Sequence, residues 1–133
     1  MIRKPFKPIP NTLNLLSHEV LDSAYRIHTS LGPGLLENIY ELFLLQELHK
    51  KQVKVKQQVP FAVELNEYKL DAGLRLDLLV EDQIIVEVKA VETLLPIHQA
   101  QLLTYLKLTQ RPLGLLINFN VVHLKQGIKR IVL

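Results

Sequence analysis

The sequence predicts an α/β (α+β) protein, with helices flanking a central mixed β-sheet. Three features predict it. Apolar residues recur at helical spacing in two early stretches, 17–31 and 35–51, and in a later one, 96–108. Between these, residues 53–65 and 74–91 alternate with period two, as strands do. Residues 113–117 are nearly unbroken in apolar side chains, the pattern of a strand covered on both faces. The order helix, helix, strands, helix, strand, strand suits layers packed around one sheet.

Composition narrows the class. A chain of 133 residues suits a single domain, large enough to bury roughly two-thirds of its unfolded surface. Apolar residues make up 48%, which excludes a disordered chain. No apolar run approaches the roughly 20 residues that span a bilayer. The start, MIRKPFKPIPNT, lacks the apolar core of a signal peptide, so a cytoplasmic protein is expected. With no cysteine, disulfides and thiolate metal sites are excluded. The formal charge of +3 permits a polyanionic partner without demanding one.

Taken in order, residues 1–16 precede the domain proper, which spans 17–133. The first twelve hold three prolines and three basic residues, and predict an extended arm. Its plain reading is a solvated tail; the sharper one is an arm against a nucleic-acid backbone or a second subunit. Ser17 is the expected N-cap of the first helix, and Gly32 its stop. His18 and His28 lie on that helix without ligand spacing and are expected as surface or packing residues. Glu37 falls in the first turn of the second helix, where the dipole stabilises a carboxylate, with Tyr40 and Glu41 on the same face. Residues 53–65 predict a strand with one wet face and a break at Pro60. Residues 68–70 follow as a short partner strand. Pro96 opens the third helix, and Gly127 precedes a last strand at 128–133.

Residues 74–91 predict a β-hairpin around Glu81-Asp82-Gln83. With the loop centred on Asp82, Val80 pairs with Ile84 and Asp77 falls opposite Glu87. The even-numbered apolar residues then share one face, and Asp77, Glu87 and Lys89 the other; a slip of one residue would scramble both. Charges inside so apolar a run are costly unless paired or bound to a metal. Two readings stay open on pattern alone. Lys89 forms an internal ion pair with Asp77 or Glu87, or the two carboxylates hold a hard divalent cation through oxygen, with Lys89 beside the reacting water.

Asp77 followed by Glu87-Val88-Lys89 resembles the Asp…Glu-x-Lys signature of the PD-(D/E)XK, restriction-endonuclease-like nucleases. Gln101 to Tyr105 is similar to the QxxxY helix of their RecB-like and lambda-exonuclease-like branch. Gly34, Glu37 and Tyr40 match GxxExxY, the motif that names a family of small proteins in that superfamily. The resemblance spans residues 17–133 and departs in one place, since Leu76 stands where the motif has proline.

The resemblance implies a restriction-endonuclease-like core and a Mg²⁺- or Mn²⁺-dependent hydrolysis of phosphodiester bonds in nucleic acid, DNA ahead of RNA. It implies Glu37, Asp77, Glu87 and the Val88 carbonyl as metal ligands. Lys89, Glu87, Asp77, Gln101 and Tyr105 become the catalytic set. The alternative is a catalytically silent binding module on the same fold. So small a chain, without a tryptophan and with a thin basic face (Lys54, Lys56, Lys125, Lys129 and Arg130), further predicts a homo-oligomer or a partner.

Overall fold

The computed structural model describes residues 9–133. These form helices α1 (Asn11–Leu31), α2 (Glu37–Lys50) and α3 (Pro96–Thr109) and strands β1 (Val55–Leu65), β2 (Tyr68–Val80), β3 (Ile84–Lys89), β4 (Leu113–Asn118) and β5 (Ile128–Val132). A 3-10 turn, Leu124–Gly127, links the last two strands. The sheet runs β1-β2-β3-β4-β5. Only the β3–β4 pairing within it is parallel; the crossover between those strands is α3. The sheet is therefore mixed, with helices on both faces, in accord with a restriction-endonuclease-like α+β fold.

Two apolar layers hold it together. On one face, Leu13, Val20, Ala24 and Ile27 of α1 and Tyr40, Leu44 and Leu48 of α2 pack on Val80, Ile84, Val86, Val88, Leu113, Leu115 and Ile117. On the other, Leu102 and Leu106 of α3 pack on Leu76, Leu79, Ile85 and Leu116. Gly114 lets α3 come this close, because a Cβ there would stand 2.9 Å from the Leu102 side chain. All six residues of β4 are buried, as the unbroken apolar run predicts.

The first helix is longer than expected and takes in residues 11–16 of the expected extended arm. Helix α1 begins at Asn11, after Pro10 with extended backbone. Buried Leu13 carries the stripe of Val20, Ala24 and Ile27 back by two turns, so burial extends the helix past the polar residues that mark its expected start. Ser17 is no N-cap: it is buried within the helix, and its hydroxyl donates to the Asn14 carbonyl. Residues 1–8 of the expected arm lie outside the described residues. His28 is a packing residue, as expected, with Nε2 against the Val121 carbonyl at 2.7 Å.

The hairpin has the expected register, with Val80 opposite Ile84, Leu79 opposite Ile85 and Leu78 opposite Val86. Its faces do not follow simple parity. Leu78 and Val80 face the helices α1 and α2, but Leu76 and Leu74, of the same parity, pack on the α3 side. The partner strand switches too: Val55 packs on the first face, Val59 and Phe61 on the second. The cause is Gln58, whose φ of 52° is left-handed and inverts the alternation. The expected break in β1 thus falls at Gln58, not at Pro60. The expected short strand at 68–70 is the start of β2. At Asp71-Ala72-Gly73 the strand β2 carries a bulge, where pairing jumps from Phe61–Leu74 to Val63–Leu70. Gly73 fits there because any Cβ would strike Val63.

Candidate active site

The parallel strands β3 and β4 end side by side, with Lys89 opposite Asn118. A crevice outside the carboxyl ends of adjacent parallel strands is where α/β sheets place their sites. Beyond this point β3 must leave the sheet, and Asn118 fixes how. Its Oδ1 accepts from the N–H groups of Val91 (3.0 Å) and Asn120 (3.2 Å), while its Nδ2 donates to the Val91 carbonyl (2.9 Å). The Phe119 N–H donates to the Lys89 carbonyl. The backbone around Lys89 is therefore held from both sides.

On the other side of β3, the ladder with β2 ends at Leu78–Val86. The next facing residues are Asp77 and Glu87. Here side chains take over from main-chain pairing. Asp77 Oδ2 accepts from the Val88 N–H at 2.9 Å, and Glu87 Oε1 faces the Asp77 N–H at 3.4 Å. Glu87 is only 5% exposed. Burial, the negative charge of Asp77 and a hydrogen bond between the two carboxyls together push the Glu87 carboxyl up to about 9. Two facing carboxyl groups, one of them buried, concentrate the oxygen donors that a hard divalent cation takes, so the donor set fits such an ion.

The other candidate residues stand around this pair. Glu37, at the first position of α2, is exposed at its helix end. Desolvation raises its pKa, opposed by the charge of Lys89 and reinforced by Asp77 and Glu41. Among the described residues, no three His, Cys, Asp or Glu side chains converge into a ready-made cage, so Glu37 is an electrostatic neighbour of the pair. Lys89 is half-buried, and among the described residues it makes no ion pair. The internal ion pair that pattern left open is absent from this set; the carboxyls face the Asp77 and Val88 backbone amides instead. Tyr105 packs against the α3 core, and desolvation and then the charges of Glu87 and Asp77 raise its pKa, so its phenol stays a donor. Gln101, one turn earlier, is exposed along α3 beside Ile97, His98, Ala100 and Thr104, and among the described residues its side chain bonds to no member of the site. His98, from the same stripe, turns back to accept the Leu95 N–H and caps the helix.

Tyr40 explains why a glycine and a tyrosine bracket Glu37. Its hydroxyl donates to the Gly32 carbonyl (2.6 Å) and accepts from the Leu35 N–H (3.1 Å), tying down the loop that leads into α2. Gly34, at φ 102°, supplies a turn that a side chain would strain. The Tyr40 ring stacks on Phe119, 4.6 Å between centroids, and so joins α2 to the end of β4.

The profile of the PD-(D/E)XK nuclease superfamily matches residues 14–131. The chain belongs to that superfamily. Comparison with curated proteins and with solved structures gave no match. Members of the PD-(D/E)XK superfamily are usually nucleases and typically use divalent metals, which points to nucleic acid as the general substrate. No helix among the described residues is long and apolar enough to cross a membrane.

Two residues of this region carry more than the sequence pattern gave them. Asn118 was legible only as a polar residue ending an apolar run. Glu41 was legible only as a neighbour of Glu37, yet it is buried and accepts from the side-chain amides of Gln57 and Gln58.

Proposed function

We propose that the chain is a Mg²⁺- or Mn²⁺-dependent nuclease of the GxxExxY type, hydrolysing phosphodiester bonds with DNA as the favoured substrate. The observation that carries this reading is the Asp77–Glu87 carboxyl pair between β2 and β3, where their ladder ends, with Lys89 beside it and Tyr105 close enough to sense both charges. Asp77 and Glu87 would hold the cation, with Glu37 and the Val88 carbonyl completing its oxygen ligands. When bound, it would supply Lewis-acid charge to the phosphodiester and acidify water.

The chain's own side chains do the rest. Lys89, free of an ion-pair partner among the described residues, presents its ammonium to the charge that develops on the phosphoryl oxygens, or takes up a proton from the attacking water. The Tyr105 hydroxyl donates to a phosphate oxygen, and Gln101, exposed one turn away, orients the substrate along α3. Water oxygen bonds to phosphorus and gives up a proton as the bond to the leaving sugar oxygen breaks, and that oxygen takes up a proton from solvent. The small size of the chain leaves little room for extended nucleic-acid contacts, which supports action as a homo-oligomer.

Purified protein incubated with labelled single- and double-stranded DNA and RNA, with Mg²⁺ or Mn²⁺, tests the reading. Metal-dependent cleavage that Lys89→Ala removes is the expected result. Salt-sensitive binding without cleavage, indifferent to Asp77→Asn, would support a catalytically silent module instead. Sedimentation as a monomer at all concentrations would remove the homo-oligomer.

A further inference from the structure

Three observations meet at Gln58. Its φ of 52° lies in the left-handed region, where a non-glycine residue inside a strand is uncommon and stores strain. The pairing register of β1 with β2 is the same on either side of it, with Gln57 opposite Leu78 and Val59 opposite Leu76, yet the side chains exchange faces across this point. Finally, Gln57 and Gln58 reach the same atom. Glu41 Oε2 accepts from the Gln57 amide at 2.8 Å and from the Gln58 amide at 2.9 Å. Neighbours in an ordinary strand point to opposite faces. The left-handed residue is what lets two consecutive side chains converge.

Glu41 gives the convergence its anchor. It is 4% exposed, and it lies one turn after Glu37 on α2, near enough for its charge to act on Glu37. A buried carboxylate taking two amide donors holds both in place. The register sets Asp77 across from Gln58, and this step drops out of the β1–β2 pairing. On its other side Asp77 turns its carboxylate onto the Val88 N–H.

We infer that Glu41, Gln57 and Gln58 are positioning residues for Asp77. Glu41 gathers the two amides, the amides keep Gln58 left-handed, and the resulting inversion of the β1–β2 ribbon releases Asp77 from its pairing with β1 and aims its carboxylate at Val88 and Glu87. The inference rests on the reading of Asp77 and Glu87 as the cation-holding pair. It adds a set of residues that touch neither substrate nor cation and set the geometry of the pair from behind.

The test compares Gln58→Gly, which adopts left-handed backbone freely, with Gln58→Val, whose branched side chain opposes it. Two quantities are read: Mn²⁺ affinity by calorimetry, and hydrogen exchange of the Val88 amide in the metal-free protein. Gln58→Gly is expected to keep the Val88 amide protected and Mn²⁺ affinity within about threefold of wild type, whereas Gln58→Val loses about tenfold or more in affinity. In Gln58→Val the Val88 amide should exchange faster while the Leu115 amide, deep in β4, stays protected. Unchanged affinity and Val88 protection in Gln58→Val would overturn the inference. If Gln58→Val does not fold, Gln58→Ala, with a smaller left-handed penalty, carries the same comparison. If wild type binds no Mn²⁺, the cation reading fails, and Val88 exchange across the variants alone decides the positioning role.

Discussion

Asp77 and Glu87 are joined where their strands cease to pair: Asp77 accepts from the Val88 amide, and Glu87 faces the Asp77 amide. The pair replaces one step of the sheet ladder with side chains. A carboxyl pair so placed is costly for the fold by itself, because burial and like charge both oppose ionisation. That cost is what the following predictions exploit.

The first concerns stability against pH. Folded, Glu87 keeps its proton up to about 9; unfolded, it releases it near the ordinary 4.5. Between those values the native state binds more protons than the unfolded state, so this group makes stability fall as pH rises. Glu87→Gln removes the ionisation while keeping the shape. In metal-free protein at pH 8 it should stabilise by on the order of 2 kcal/mol, with the gain vanishing near pH 4.5. Thermal melts of both proteins across this range measure it; parallel pH profiles would contradict it.

Cation binding must displace the proton that Glu87 keeps up to about 9. Below about 9 the apparent Mn²⁺ affinity should therefore rise with pH, by up to roughly tenfold per unit, with about one proton released per ion. Calorimetry in buffers of different ionisation heat counts the proton. A pH-independent affinity would place the ion elsewhere.

Lys89 forms no ion pair among the described residues, so its removal should leave the fold intact. Lys89→Met is expected to retain the wild-type melting temperature within a degree or two and to bind Mn²⁺ at least as well, while cleavage falls by about a hundredfold or more. A loss of stability in step with activity would show a structural lysine instead.

Asn118→Ala should destabilise by about 2–4 kcal/mol, because it strands the Val91 N–H, the Val91 carbonyl and the Asn120 N–H in a buried setting. Asn120→Ala, whose own amide reaches Val91 only at 3.5 Å, should cost less than about 1 kcal/mol. Urea unfolding of both variants gives the contrast. Equal costs would mean that the clamp on the exit from β3 is not what Asn118 provides.

Much of this site is legible in the sequence, for a physical reason. Period-two alternation on both sides of Asp82 allows one register, and that register alone sets Asp77 level with Glu87. What parity cannot reveal is a change of face inside a strand. Leu74 and Leu76 read as one series with Leu78 and Val80, and only the left-handed backbone of Gln58 on the neighbouring strand separates them. Glutamine carries no local signal for that conformation, since it is the distant Glu41 that supports it. Helix α1 likewise reaches back to Asn11 through burial of Leu13, which outweighs the polar residues around it.

The central claim is that Asp77 and Glu87 hold a divalent cation, and anomalous diffraction from crystals soaked in Mn²⁺ tests it most directly. The account predicts an anomalous peak between the two carboxyls, on the side facing Lys89, that disappears in Asp77→Asn. Density absent from that position, or unchanged by Asp77→Asn, would contradict it.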